Sequence, residues 1–262
     1  MDDFWIMRPF NALFWAVFAA FALLLAAACL LLRGKSEKAK KAVLVVGSAL
    51  TLTGFILYKY YLSLDADFRI LNAEMGGFNW WGELPLHLCN INMLLLPVAV
   101  TRKSRPLMSF CFFLGPLGAL MALMMPSTGF NGYSLLLPRM LGFYGTHFMV
   151  MMLGLALAGF GLYRPRFRDL FPAVLAALGV ALVIFCFDLF LRRTGLHPKA
   201  NYFYAVETEG NPVLELFHRL LPFPYLYLLP CYVILSIYML LVTAPFDLIA
   251  RYRAKKRASA SL

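Results

Sequence analysis

The sequence predicts an all-α, polytopic transmembrane helix bundle with seven spans, and three observations support this. Of the 262 residues, 62% are hydrophobic and 14% are charged, whereas soluble domains average roughly 45–50% apolar and about 25% charged residues. Several apolar runs reach the roughly 20 residues that a helix needs to cross a bilayer. Basic residues cluster in alternate connections between these runs. The composition excludes a soluble enzyme, a nucleic-acid-binding module and a secreted disulfide scaffold.

The predicted spans form a single transmembrane domain over residues 1–262. Five of the runs are clear, whereas the third and fourth are short and contain proline. Membrane helices tolerate proline where neighbouring groups satisfy the freed carbonyls. The spans cover about residues 10–32, 42–64, 84–101, 106–125, 138–162, 169–191 and 223–244, and a basic tail follows at 245–262.

The basic residues predict the orientation of the bundle. Sixteen of the 24 Lys and Arg residues follow spans one, three, five and seven, whereas most acidic residues lie in the opposite connections. The positive-inside rule places the sixteen in the cytoplasm, which gives an N-out, C-in multi-pass protein of the cell membrane. We expect membrane lipids as partners and no nucleic acid, and the sequence leaves the oligomeric state open.

The outer connections carry more features than the inner ones. Residues 65–83 mix apolar side chains, including Trp80 and Trp81, with scattered acids, which predicts a segment at the membrane interface. Residues 126–137 contain an Asn-Gly turn, and residues 192–222 form the longest connection. Long connections on one side predict a lid over a site.

The cysteines do not form a structural framework. They show no CxxC spacing and an odd total, so that neither disulfides nor a zinc knuckle is expected. We also expect no bound metal and no cofactor. All five fall inside apolar runs: Cys29, Cys89, Cys111, Cys186 and Cys231.

The densest polar cluster begins the third span, in the string Glu83-Leu-Pro-Leu-His87-Leu-Cys89-Asn90-Ile-Asn92. Ionisable residues within spans are costly and therefore suggest function. If this segment is helical, Glu83, His87 and Asn90 share one face, and Cys89 points about 200° away from His87. A base for Cys89 must then come from another span.

His147 is the predicted base. At about 1.5 Å rise per residue, Cys89 lies roughly 8 Å and His147 roughly 13 Å below the outer ends of their spans. The thiolate is the reactive form of cysteine, and a neighbouring imidazole makes it available. Ester carbonyls of phospholipids lie at a similar depth. The pair is therefore a candidate for accepting an acyl group from a lipid.

Structural interpretations compete with this chemistry. A cysteine in a membrane helix is commonly a packing residue, and a histidine is commonly a satisfied polar contact. Asp188 has Arg192 one turn later, which predicts a local ion pair. Lys59 lies near a span end, where its ammonium can reach the headgroup region.

The cluster also resembles a known family signature. Glu83-Leu-Pro-Leu-His87-Leu-Cys89 is similar to the signature of the YwaF-type integral membrane proteins of bacteria. A related eukaryotic group has seven spans and is regarded as a lipid acyltransferase with a cysteine and a histidine in its site. The resemblance implies Cys89 as acyl acceptor and His147 as its base. Further strings fit in order: Gly145-Thr-His147, Asn201-Tyr202-Phe-Tyr204 with Asn211-Pro212, and Leu221-Pro-Phe-Pro-Tyr225.

Three functions follow. The leading hypothesis is a lipid acyltransferase or acyl hydrolase near the outer leaflet. A non-catalytic lipid-binding, small-molecule-binding or transport protein is the first alternative. A metal-dependent membrane hydrolase using Glu83, His87 and His147, with Asp188, is the second. In the leading hypothesis Cys89 and His147 are catalytic, and the substrate-binding residues are His87, Asn90, Asn92 and Tyr202.

Overall fold

The computed structural model describes residues 3–71 and 77–259, and most of these residues are helical. The only strands among them are β1 (Ile6–Met7) and β2 (Tyr133–Ser134), which pair antiparallel. The helices are α1 (Ala12–Leu31), α2 (Glu37–Leu64), α3 (Ala66–Leu71), α4 (Asn92–Thr101), α5 (Arg105–Met124), α6 (Pro138–Gly159), α7 (Leu170–Thr194), α8 (Pro212–Leu220) and α9 (Leu229–Ser259).

The all-α membrane bundle is confirmed. Within the described residues, six helices are long and apolar enough to cross a membrane, namely α1, α2, α5, α6, a helix over Phe167–Thr194 that contains α7, and one over Leu226–Ala250 within α9 and the turn before it. The predicted third span differs, because only its second half is α-helical, as the ten residues of α4. The seven-span count, the single domain and the orientation stay predictions.

The third segment nevertheless runs from one end of the bundle to the other. Before it, Glu83 pairs with Lys59 near the end of α2. After it, Lys103 pairs with Glu37 in the first turn of α2, with 3.0 Å between Nζ and Oε1. Residues 84–101 therefore pass antiparallel to α2 over its length, although half of the passage is not helical.

Helix α6 is the centre of the bundle. It packs against α1, α2, α4 and α5, while α7 packs on α5 and on α9. The peripheral helices expose large apolar side chains, such as Leu23 in α1, Val183 in α7 and Leu241 in α9. Exposed apolar surface of this extent is expected where lipid is the solvent.

The predicted Asn131-Gly132 turn is present. Gly132 has φ +81° and donates its N–H to the carbonyl oxygen of Met7, so the Asn131-Gly132 turn anchors the N-terminal strand. Of the connection 65–83, the structure describes α3 and a turn of 3₁₀-helix at Trp80–Gly82, whereas residues 72–76 lie outside the described residues. The predicted tail at 245–262 continues α9 as far as Ser259.

The close contact between α2 and α6 requires glycine at position 142. A Cβ added to Gly142 would lie 2.1 Å from the Cβ of Tyr58, whereas one added to Gly145 would meet nothing within 4 Å. The two glycines belong to the same helix, and so they form a matched pair for testing the contact.

We predict that Gly142→Ala destabilises the protein, because α2 and α6 must move apart; overpacking of this kind costs about 1–3 kcal/mol. Gly145→Ala should leave stability unchanged or raise it, since alanine favours a helix by roughly 0.5–1 kcal/mol. Thermal unfolding midpoints in detergent measure both effects. Equal midpoints for the two variants would contradict the packing described here.

Candidate functional site

The segment before α4 is a series of turns and not the helix that the sequence analysis assumed. The residue before a proline is disfavoured in the helical region, and proline itself lacks an N–H, so Pro85 opposes a helix through residues 84–91. Turn hydrogen bonds replace it, from Leu86 N–H to the Leu84 oxygen at 2.8 Å and from Ile91 N–H to the His87 oxygen at 2.9 Å. The condition for a common face of Glu83, His87 and Asn90, a helix through these residues, is therefore not met.

The turns bring Cys89 against His147. The Cys89 Sγ lies 3.4 Å from the His147 Nε2, within hydrogen-bonding distance for sulfur. Cys89 is 8% exposed and His147 is 5% exposed. Two residues 58 positions apart in the sequence, on different elements, thus form a buried thiol–imidazole pair.

The backbone of α6 fixes the tautomer of His147. Its Nδ1 lies 2.7 Å from the carbonyl oxygen of Phe143, one turn earlier. A carbonyl oxygen can only accept, so Nδ1 carries the hydrogen in the neutral ring. Nε2 is then the basic nitrogen, and its lone pair faces the thiol of Cys89.

Helix α5 approaches the pair at two glycines. A Cβ on Gly118 would lie 3.3 Å from the backbone nitrogen of Cys89, and one on Gly115 would lie 3.0 Å from the side-chain amide carbon of Asn92. Larger residues at these positions would push α5 away from the turns. The glycines therefore let three elements meet around a short stretch of irregular backbone.

Hydrogen-bond donors surround the sulfur. The backbone N–H groups of Cys89 and Asn90 lie near the Cys89 Sγ, and the N-terminal end of α4, which carries partial positive charge, begins at Asn92. The Asn92 amide donates to the carbonyl oxygens of Leu88 and Cys89 at 3.0 and 3.3 Å and closes the turn. A thiolate at this buried position would depend on these groups, because burial itself disfavours charge.

The predicted binding residues differ in the groups they leave free. Tyr202 donates its hydroxyl to the carbonyl oxygen of Trp81 at 2.5 Å and accepts from Leu84 N–H at 3.1 Å, and burial raises its pKa. Its ring packs edge-on against His87, with 4.8 Å between the centroids. Asn90 is buried, and its Oδ1 has no partner within residues 3–71 and 77–259.

Lys59 and Glu83 form an ion pair that the sequence analysis missed. Their side chains are 12% and 18% exposed, and the Lys59 Nζ lies 4.8 Å from the centre of the Tyr58 ring. Lys59 is close enough to interact electrostatically with Cys89 and His147. The one indication of this pair in the sequence is a lone lysine about one turn from the end of an apolar span. Such a lysine also fits a side chain that extends to the headgroup region.

The expected Asp188–Arg192 ion pair is wrong. Arg192 donates to a carboxylate oxygen of Glu207 at 2.6 Å and to the carbonyl oxygen of Ala200 at the same distance. The Asp188 Oδ1 instead accepts from the backbone N–H of Tyr202 at 3.1 Å. Asp188 thus holds the loop that carries Tyr202. Across the described ranges, no group of three or more His, Cys, Asp or Glu side chains is placed to hold a metal ion.

A protein-family model matches most of the chain. The model of the TMEM164 family matches residues 8–243. The chain belongs to the TMEM164 family. No curated protein and no solved structure matches it significantly. With six helices among the described residues that are long and apolar enough to cross a membrane, this member of the TMEM164 family is a multi-pass membrane protein.

We predict that His147→Asn slows the alkylation of Cys89 by iodoacetamide at least about tenfold in this TMEM164-family chain, because the variant loses the proton acceptor. Peptide mapping by mass spectrometry gives the rate at each cysteine. Cys111, which is fully buried, serves as an internal control. An unchanged rate in His147→Asn would show that the imidazole does not activate the thiol.

We also predict that Glu83→Gln destabilises the protein strongly, because it leaves the Lys59 ammonium buried without a countercharge; breaking such a pair costs about 3–5 kcal/mol. Glu37→Gln is the matched control, since that carboxylate is 54% exposed and surface pairs contribute roughly 0–1 kcal/mol. Thermal unfolding midpoints compare the two. A similar small loss in both variants would mean that the Lys59–Glu83 pair is effectively solvated.

Proposed function

We propose that the protein is a thiol-dependent lipid acyltransferase or acyl hydrolase, with Cys89 as the nucleophile and His147 as the general base. The contact of 3.4 Å between Sγ and Nε2 carries the proposal. The bond from Nδ1 to the Phe143 oxygen supports it, because it orients the basic nitrogen towards the thiol. Nucleophile, base and a third group that orients the base are the parts required for covalent catalysis.

The first half-reaction transfers an acyl group to the enzyme. The Cys89 thiol gives its proton to the His147 Nε2, and the thiolate attacks the carbonyl carbon of a lipid ester. The tetrahedral intermediate collapses, breaking the ester C–O bond, and the leaving alkoxide takes the proton from Nε2. The products are a thioester on Cys89 and a lysolipid alcohol.

The second half-reaction removes the acyl group. An alcohol, or water in a hydrolase, gives its proton to His147 as its oxygen attacks the thioester carbonyl. The C–S bond then breaks, the thiolate leaves, and the proton returns from Nε2 to the Cys89 sulfur. The acyl acceptor therefore decides between transfer and hydrolysis, because Cys89 and His147 have the same roles in both reactions.

The negative charge of the intermediate needs fixed donors. The backbone N–H groups of Cys89 and Asn90 are the best placed, since they lie beside the sulfur at the positive end of α4. The Asn92 amide and the Tyr202 hydroxyl already donate to backbone carbonyls. For these two side chains, a role in supporting the turns fits better than donation to the oxyanion.

The position of the pair suits a membrane lipid. His87, two residues from the buried Cys89, is exposed at the surface of the bundle. Cys89 belongs to the turns on the Glu83 side of the third segment, the side that the positive-inside rule assigns to the outer face. A lipid of the outer leaflet would present its ester at this depth.

The resemblance to the YwaF-type proteins and to the eukaryotic acyltransferase group points to the same two residues and belongs to this proposal. Non-catalytic lipid binding is the competing function. It predicts ligand binding that survives loss of both Cys89 and His147, whereas the enzymatic proposal predicts loss of turnover.

We predict that Cys89→Ser reduces acyl transfer or release from labelled phospholipid at least about 100-fold, and that His147→Asn has a comparable effect, since general bases contribute roughly 10²–10⁴-fold. Cys186→Ser should retain activity, because Cys186 is an exposed cysteine on α7. The assay uses the full chain in liposomes, with lysolipid and free fatty acid measured separately.

The accompanying measurement is thermal unfolding, which keeps loss of fold distinct from loss of chemistry. Full activity in a folded Cys89→Ser protein would overturn the mechanism. Loss of activity in Cys186→Ser at an unchanged unfolding midpoint would overturn the assignment of the nucleophile to Cys89 alone.

A further inference from the structure

A cavity lies at the opposite end of the bundle from Cys89. It has a volume of about 390 Å³ and is formed where the first turn of α2, the end of α4, the start of α5 and the residues after α6 meet. The described residues that line it are Glu37, Lys40, Lys41, Val100, Lys103, Met108, Phe160, Gly161 and Leu162.

The charged wall of this cavity has an excess of positive charge. One oxygen of Glu37 accepts from both Lys41 and Lys103, at 2.8 and 3.0 Å, and so it holds two ammonium groups at the entrance. Lys40 is half-buried and forms no ion pair within the described residues. Three lysines against one glutamate leave a net charge of +2.

Part of the lining of the cavity is apolar. Val100, Met108 and Phe160 line it and are buried in the bundle, with Leu162 beside them. A cavity lined by both ammonium groups and hydrocarbon matches an amphiphile with an anionic head. A free phosphate ion would contact only the lysines.

The surroundings favour a membrane component as the occupant. The loops at this end carry the basic residues that the positive-inside rule assigns to the cytoplasm, and the cytoplasmic leaflet holds the anionic lipids. Basic pockets between membrane helices on this side bind phosphate-containing headgroups.

We propose that this cavity binds the phosphate headgroup of an anionic phospholipid from the leaflet that surrounds it. The lysines contact the phosphate, and the apolar part of the lining contacts the first carbons of the lipid acyl chain. The site is separate from the Cys89–His147 pair, so that the proposal does not depend on the enzymatic function.

The test is lipid binding to the full chain in detergent micelles, followed by native mass spectrometry. We expect phosphatidylglycerol to bind in preference to phosphatidylcholine with the same acyl chains. Lys40→Ala should weaken phosphatidylglycerol binding about fivefold, since a basic residue near an anionic surface contributes about that factor. Lys38→Ala, two residues earlier on the same helix and exposed, should leave it unchanged.

Each other outcome would overturn the proposal. Equal weakening in Lys38→Ala and Lys40→Ala would reduce the effect to general surface charge. Displacement of the lipid by equimolar inorganic phosphate would identify a phosphate site and not a lipid site. Unchanged binding in Lys40→Ala, with Lys40→Met as a second variant that keeps the aliphatic stem, would exclude the cavity.

Discussion

The irregular backbone of residues 84–91 is the constraint on which the rest of the site depends. Non-helical backbone at membrane depth persists only where protein satisfies its polar groups, and this stretch is enclosed by α2, α5, α6 and the loop around Tyr202. Gly118 and Tyr202 illustrate the two kinds of support, one by close approach of a helix and one by hydrogen bonds to Trp81 and Leu84. The turns in return place Cys89 where a continuous helix would not.

The membrane class and the Cys89–His147 pair could be predicted from the sequence for different reasons. Apolar runs and basic loops indicate directly whether each segment lies in lipid or in water. The pairing of Cys89 with His147 followed from rise per residue along two spans, and the contact of 3.4 Å agrees with that estimate, although the span of Cys89 is half unwound. A local break in a helix changes the depth of a residue in the membrane less than it changes the direction of its side chain around the helix axis. Glu83 and His87 therefore do not share the face that a continuous helix would give them.

Other features could not be predicted, because they depend on which elements become neighbours. Lys59 was interpreted in isolation, and its pairing with Glu83 requires α2 to lie beside the third segment. Arg192 had an acidic residue one turn away, but the loop after α7 folds back and offers Glu207 and the Ala200 carbonyl at better geometry. The partner of a charged side chain at the end of the bundle depends on which elements lie beside it in the folded protein. Residue spacing in a single sequence does not give that information.

The choice of a carbonyl as the partner of His147 fits the environment of the pair. A carboxylate at Nδ1 would stabilise an imidazolium but would also place a second charge in a poorly solvated site, where isolated charges are costly. The Phe143 carbonyl fixes the ring without adding charge, while the nearby carboxylate of Glu83 is occupied by Lys59. The remaining fields, from Lys59 and the start of α4, both favour an anion. Burial disfavours charge on the sulfur, so the proposed thiolate depends on these few contacts for its stabilisation.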